Sequence, residues 1–487
     1  MNSKSRFIRQ EPVLSLNYDA YPYQEQAFDA VKELDYAGIF HEQGLGKTKI
    51  AMDLICYWLS KERIDSVLVI TKKTLVPNWN REVRLHTQIK PEIFTSNHRK
   101  NYYRFNSVAY LYLAHYQVLV SDQKSFERFF KSRRVAVILD ESAAIKNSQS
   151  KIAKCFHELA SLIPIRIIMS GTPYANKPED IWSQIYFLDF GESLGTNYRI
   201  FKERYEFPRQ PYLANRFANN LGLLNQKISD FTVRETKETA GIELPNKQYK
   251  TLWTDFSSHQ KEIYDQAKRK MYLDVVKDGK ISHEDLEWVL IRMNRLIQIT
   301  SNPGLVNENY SEEPGKMLLL KQTLKEIFQD EEAKAIVWTH FVDNAELINN
   351  ELSDHHPSVV HGSQSDKENN LAIGRFIEDS ATKILIATPQ KAGEGLTLTV
   401  ANHAIFFDRS FSLQHYLQAQ DRIHRISQKR NCQIYNLYIE NSIDEYIDKL
   451  VRAKHIASQL ASGDIEKDDF IQEGEFDLAK TLEEILT

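Results

Sequence analysis

Along the first third of the chain, short runs of β-branched and aliphatic residues alternate with stretches whose apolar positions recur at helical spacing. Residues 37–41, 66–71, 108–114, 135–140 and 165–170 form such runs. Runs of this length with almost no polar positions read as strands buried on both faces, and strands alternating with helices read as parallel βαβ units. The rhythm stops at about residue 191. From there to about residue 315 the pattern is mainly helical, with Leu286, Val289, Leu290, Met293, Leu296 and Ile297 at amphipathic spacing. It resumes with runs at 334–339, 359–362, 383–388, 404–408 and 433–438. The pattern predicts an α/β protein with two lobes, each a parallel sheet flanked by helices, and a helical insertion between them. The boundaries it implies are 1–190, 191–315, 316–455 and a terminal segment, 456–487, whose end from residue 463 is acidic and amphipathic.

Composition narrows the class only a little. With 42% hydrophobic and 26% charged residues the chain is an ordinary globular one. No run reaches the ~20 apolar residues of a membrane span, and residues 1–11 carry charges with no signal-like apolar stretch. A monomeric protein inside the cell, with no membrane partner, is expected. The three cysteines, Cys56, Cys155 and Cys432, are far apart and form no C-x-x-C pair, so neither a disulfide framework nor a zinc site is implied. A formal net charge of −4 means that any nucleic-acid contact must use local patches.

The chemistry lies in three segments. In the first, the run at 37–41 leads through Glu42-Gln43-Gly44-Leu45-Gly46 to Lys47-Thr48 and a predicted helix at 49–59. Glycines let backbone N–H groups close around a phosphate chain, and a helix N-terminus favours negative charge. Lys47 is placed to reach the β- and γ-phosphates and Thr48 to ligate magnesium. His41 stands where the full phosphate-loop pattern has its first glycine. In the second segment, the run at 135–140 ends in Asp140-Glu141, and strand ends are where α/β proteins bind ligands. Alternation along a strand points the two carboxylates to opposite sides, one to hold magnesium through water and the other to orient an attacking water. The third is Gln418-Ala-Gln-Asp421-Arg422-Ile-His424-Arg425-Ile-Ser-Gln428, where Arg422 and Arg425 would share one face of a helix.

Taken in order, the motifs resemble those of the Swi/Snf-type ATPases of helicase superfamily 2, from about Tyr18 to Ile447. Tyr23-Gln24 is similar to the family's adenine-recognising motif, and Gly44–Thr48 to motif I. Residues 68–82, with Asn78-Trp79, resemble motif Ia. Asp140-Glu141 followed by Ile145-Lys146-Asn147 resembles motif II, and Ser170-Gly171-Thr172-Pro173 motif III. Phe231–Lys237 and Leu244-Pro245 are similar to the signature between the lobes. Residues 337–341 with His361-Gly362-Ser363 resemble motif IV and its neighbour, Gly393-Glu394-Gly395-Leu396 motif V, and Gln418, Arg422, Arg425 and Gln428 motif VI.

The resemblance implies two RecA-like lobes with ATP and magnesium in the cleft between them. It implies catalytic roles for Lys47, Asp140, Glu141, Gln418, Arg422 and Arg425, and nucleotide contacts from Gln24, Gly44, Leu45, Gly46, Lys47, Thr48, Gly395, Arg422 and Arg425. Thr48 and Asp140 would hold the metal. Asn78, Trp79, Thr172, Gly362, Gly395 and Thr397 would grip nucleic acid, double-stranded DNA in particular. The activity implied is ATP-dependent translocation along DNA. A strand-separating helicase, or an ATP-gated clamp without turnover, are the alternatives. Departures exist too: motif II usually has histidine where this chain has Ala143, the usual motif Ia proline is Lys72, and the inter-lobe Arg-Arg is Arg234-Glu235.

Overall fold

The computed structural model describes residues 14, 16–174, 176–208, 211–275, 286–392 and 396–473. The chain divides into two compact units. The first comprises Met1–Tyr174, Glu179–Tyr205 and Leu223–Gly241, and the second Ala175–Pro178, Glu206–Gly222 and Ile242–Thr487.

In the first unit the strands are β1 (Tyr36–Ile39), β2 (Ser66–Thr71), β3 (Glu92–Ile93), β4 (Leu111–His115), β5 (Val135–Asp140), β6 (Ile165–Met169) and β7 (Thr232–Val233). They form one sheet in the order β3-β4-β2-β5-β6-β1-β7, every neighbour parallel. All six residues of β2, Ser-Val-Leu-Val-Ile-Thr, are buried. Such a strand has no face fit for water, so helices must cover both sides. The helix Lys47–Ser60 supplies part of that cover: Ile50, Met52, Leu54 and Ile55 join Val67, Val69 and Ile138 in one core.

The second unit contains β8 (Lys247–Thr254), β9 (Ala335–Trp338), β10 (Ser358–Val360), β11 (Ile384–Ala387), β12 (His403–Phe406) and β13 (Cys432–Ile439). Their order is β10-β11-β9-β12-β13-β8, again all parallel. Period-two alternation separates its two cores: Ala335 and Val337 of β9 enter one, Ile336 and Trp338 the other. Met293, Leu296 and Ile297 are buried against Ile443, Ile447 and Val451 of the helix Ile443–Ser462.

The stretch read as mainly helical contributes a strand to each sheet. β7 pairs with β1, and β8 pairs with β13 over its whole length. Two residues are too few for periodicity to register, which also hid β3. β8 escaped for another reason: it is a half-exposed edge strand, Lys-Gln-Tyr-Lys-Thr-Leu-Trp-Thr, and needs no continuous apolar run. The cysteines are buried, as small apolar residues would be. Among the described residues no helix is long and apolar enough to cross a membrane. Residues 1–11 and the acidic end from 474 onward lie outside the described residues.

Candidate functional site

β1, β6 and β5 lie side by side, so the segments that follow their C-terminal ends meet at one edge of the first sheet. After β1 comes the glycine loop. Gly44 and Gly46 have φ of 89° and 71°, left-handed conformations that cost a side-chain-bearing residue about 1–2 kcal/mol. Gly46 also has no room for a side chain, since a Cβ there would stand 2.3 Å from Nε2 of Gln24. That buried amide donates to the Leu45 carbonyl at 3.1 Å, and its Oε1 accepts from the Tyr21 N–H at 3.0 Å. Gln24 therefore braces the loop as well as standing beside it.

Lys47 opens the helix Lys47–Ser60, and its ammonium donates to the carbonyls of His41 at 2.8 Å and Glu42 at 3.2 Å. Desolvation pushes it down to about 8, against the pull of Glu141 and Asp140. His41, at the place of the missing glycine, is buried and pushed down to about 4 by burial and by the Lys47 charge. It is neutral at physiological pH. It has no positive φ, so the backbone there asks nothing that only glycine can supply.

Asp140 ends β5. Its Oδ2 accepts from the Thr71 hydroxyl at 2.9 Å and the Trp79 indole N–H at 2.7 Å, and its carbonyl accepts from Tyr116 at 2.7 Å. Burial, with the neighbouring Glu141 charge, nevertheless pushes the carboxyl up to about 6. Glu141 has φ 54° and ψ 52°. The two carboxylates thus part at a left-handed turn that ends the strand, and not by strand alternation. Oε2 of Glu141 is buried without a hydrogen-bond partner among the described residues. A buried lone carboxylate oxygen is costly, and functional sites are where such cost is kept.

After β6, Ser170-Gly171-Thr172 lies against the glycine loop: a Cβ on Gly171 would stand 2.6 Å from Cγ of Gln43 and 3.4 Å from Nζ of Lys47. On the other side, the segment around β7 clasps the loop. Phe40 N–H donates to Val233, Glu42 N–H to Glu235, Arg234 to the Phe40 carbonyl, and Lys237 pairs with Glu42 at 3.1 Å. Thr48 is half-buried in the first turn of its helix. Gly46 and Gly171 without room for a side chain, a half-buried lysine bonded to loop carbonyls and a carboxylate oxygen with no partner among the described residues fit a polyphosphate with its magnesium ion.

In the second unit Arg422 and Arg425 are near each other in sequence but not on a helix. The helix Leu413–Gln420 ends before them, and both stand in the turns that follow. Arg422 is buried; it donates to the carbonyls of Gln418 and Leu396, both at 2.9 Å. Arg425 donates to the Asp421 carbonyl at 3.0 Å and the Thr397 hydroxyl at 2.8 Å. Gln428 is a staple for these turns. Its amide donates to the carbonyls of Ala401 and Ile423 and accepts from the N–H groups of Lys429 and Arg430. Gln418 is buried, and neither of its amide atoms has a partner among the described residues.

The residues expected to grip nucleic acid divide. Trp79 is 2% exposed and spends its only polar group on Asp140, so it is a core residue that supports the acidic site and not a surface contact. The spacing held the signal: Val76, Trp79 and Val83 are the buried stripe of the helix Val76–His86. Asn78, on the other side of that helix, is half-buried and accepts from Arg81. Gly362 and Thr397 are exposed. The Thr172 hydroxyl is buried without a partner among the described residues. Gly395, expected to touch both nucleotide and nucleic acid, lies outside the described residues with Gly393 and Glu394. Tyr116 carries no motif of its own and was missed by sequence reasoning; the 231–237 segment was recognised as an inter-lobe signature, but not its clasp on the glycine loop.

A parallel sheet whose strand ends carry a glycine loop, a lysine at a helix N-terminus and an acidic pair defines a phosphate-loop protein. The chain belongs to the SNF2-related family: the SNF2-related domain matches residues 29–305, and the helicase conserved C-terminal domain matches residues 316–427. Similar curated proteins include an uncharacterized ATP-dependent helicase of Mycoplasma pneumoniae, 25% identical over 87% of this chain and 40% of its own length. A human DNA annealing helicase and endonuclease is 24% identical over 93% of this chain and 42% of its own length. The chain thus spans about two-fifths of these relatives. Among solved structures, the Sulfolobus solfataricus SWI2/SNF2 ATPase core in complex with double-stranded DNA is 26% identical with a TM-score of 0.43, covering 95% of this chain and 98% of that one.

Proposed function

We propose that this chain hydrolyses ATP in a magnesium-dependent, DNA-stimulated cycle and uses it to move along double-stranded DNA. The observation that carries the reading is the meeting of the glycine loop, Lys47 and the Asp140–Glu141 pair at the ends of neighbouring parallel strands, with both carboxylates supporting the charge of Lys47 against its desolvation, within a family whose relatives are named as ATP-dependent and DNA helicases. Adenine recognition is assigned to Gln24. Gly44, Leu45 and Gly46 offer backbone N–H groups to phosphate oxygens, and Lys47 exchanges its loop carbonyls for the β- and γ-phosphates. Thr48 and Asp140 would hold magnesium, which supplies charge neutralisation on the phosphates when bound. Glu141 orients the attacking water and takes up its proton.

To Arg422, Arg425 and Gln418 we assign stabilisation of charge on the transferring phosphoryl group, and to Gly395 a nucleotide contact. Asn78, Thr172, Gly362, Thr397 and Gly395 are assigned to the DNA backbone, which such groups position without reading sequence. Trp79 is assigned to Asp140 instead. Movement along duplex without sustained strand separation is the expected output. A triplex-displacement assay should be positive where unwinding of a long blunt duplex is weak; robust unwinding of that duplex would replace translocase by strand-separating helicase, and neither activity in the presence of ATP turnover would discard movement altogether.

A further inference from the structure

The helix Trp182–Asp189 grips the turn that follows the acidic pair at two successive residues. Ser183 donates to the Ile145 carbonyl at 2.5 Å, and Gln184 accepts from the Ser142 hydroxyl at 2.7 Å. The same Gln184 amide turns its N–H groups the other way, donating to the Pro173 carbonyl at 2.8 Å and the Asp180 carbonyl at 2.9 Å. Ser142 and Gln184 are both fully buried, at 0% exposure. Both amide donors of Gln184 and its acceptor are therefore engaged, and no solvent can replace a bond that is lost.

The two ends of this bridge are not ordinary core. Ser142 is bonded directly to Glu141, which combines a left-handed backbone with a carboxylate oxygen that has no partner among the described residues. Pro173 follows Gly171-Thr172, the loop pressed against Gln43 and Lys47. Beside the bridge stands Ala143, buried and without a polar group, at the position where Swi/Snf-type motifs carry histidine.

We infer that Gln184 is a positioning residue which, through Ser142, couples the setting of Glu141 to the Gly171–Pro173 loop. A displacement of the Glu141–Ser142 backbone pulls on the Gln184 acceptor, and the planar amide passes it to the Pro173 carbonyl and so to Thr172. Packed networks with two discrete settings transmit in this way, while an apolar contact of the same shape would hold the elements together without fixing their relative setting.

This inference rests on the proposed function, and the test separates the two. Hydrogen exchange at the amides of Gly171, Thr172 and Tyr174 is measured with and without a non-hydrolysable ATP analogue and magnesium, alongside analogue affinity and thermal stability. In the unsubstituted chain the analogue should slow exchange there. Gln184→Met keeps the volume and removes the bonds, and Ser142→Ala removes only the hydroxyl. Each should bind the analogue as before while the analogue-dependent change shrinks by at least about fivefold, the lower end of ordinary coupling between sites. The double substitution should do no more than either single one, since both break one chain of bonds. If Gln184 merely supports the fold, exchange rises throughout with and without the analogue and the ratio is kept, which overturns the coupling. An unsubstituted chain that binds the analogue with no change at these amides also overturns it and leaves the proposed function standing. One that does not bind the analogue at all overturns both.

Discussion

The two motif-bearing regions solve opposite electrostatic problems. Around the glycine loop the charged groups are left under tension: Asp140 is pushed up to about 6, Lys47 down to about 8, and one oxygen of Glu141 has no partner among the described residues. In the turns after the helix Leu413–Gln420, by contrast, both arginines are tied to carbonyl and hydroxyl oxygens of their own unit. The first region resembles a site whose charges are completed by a ligand. The second holds its cations in fixed directions before any ligand arrives, which is what stabilising a transient charge demands, because nothing need reorganise at the moment of reaction.

The largest test of that contrast is Arg425→Ala. If its guanidinium meets the transferring phosphoryl group, DNA-stimulated turnover should fall by roughly 10³ to 10⁵, with nucleotide affinity, carried by Lys47 and the loop amides, only modestly weakened. Lysine should rescue poorly, having no planar fork. A mere surface contact would instead change stability by less than about 1 kcal/mol and leave turnover near normal. Turnover and nucleotide affinity measured on the same folded variant decide between them. Next in size, Glu141→Gln should retain nucleotide and lose about 10² to 10⁴ in rate, read by single-turnover kinetics.

Asp140 sharpens the comparison through stability. Its folded value, about 6, lies above the ordinary 3.8, so the folded state favours the protonated carboxyl. That contribution is fully present below about 3.8 and is lost as pH rises through about 6, leaving the ionised group as a cost at neutral pH. Asp140→Asn should therefore stabilise the nucleotide-free protein at pH 7.5, by roughly 1–3 kcal/mol, and bring little gain at pH 3.5, as followed by denaturant melts at the two pH values. A destabilised variant at pH 7.5 would show that Thr71 and Trp79 compensate the burial in full. The smallest effect belongs to Gly362, where a Cβ would meet nothing within 4 Å. Gly362→Ala should leave the melting temperature unchanged, and weaker binding to duplex DNA would then report close approach of a phosphate backbone.

Much of this arrangement is legible in the sequence, because long buried strands and phosphate-loop chemistry both write themselves as local patterns. The runs at 66–71 and 135–140 match β2 and β5 residue for residue. What stayed hidden is non-local or conformational. The left-handed turn at Glu141 has no glycine to announce it. The brace of Gln24 on Gly46 and the clasp of Arg234 and Lys237 on the loop join residues far apart in the chain. The spacing of the two arginines fits a helix, yet the helix stops at Gln420. Trp79 shows a motif outweighing periodicity: its place in a nucleic-acid motif favoured the surface, while its spacing with Val76 and Val83 favoured the core, and the spacing was right.

Coupling of hydrolysis to double-stranded DNA is read from steady-state ATP turnover in the presence of duplex DNA, single-stranded DNA or RNA of equal length. Duplex should stimulate most, and the stimulation should fall steeply as salt rises, because contacts to phosphates release counterions. Greater stimulation by RNA at every salt concentration, or turnover indifferent to all three, would contradict the account.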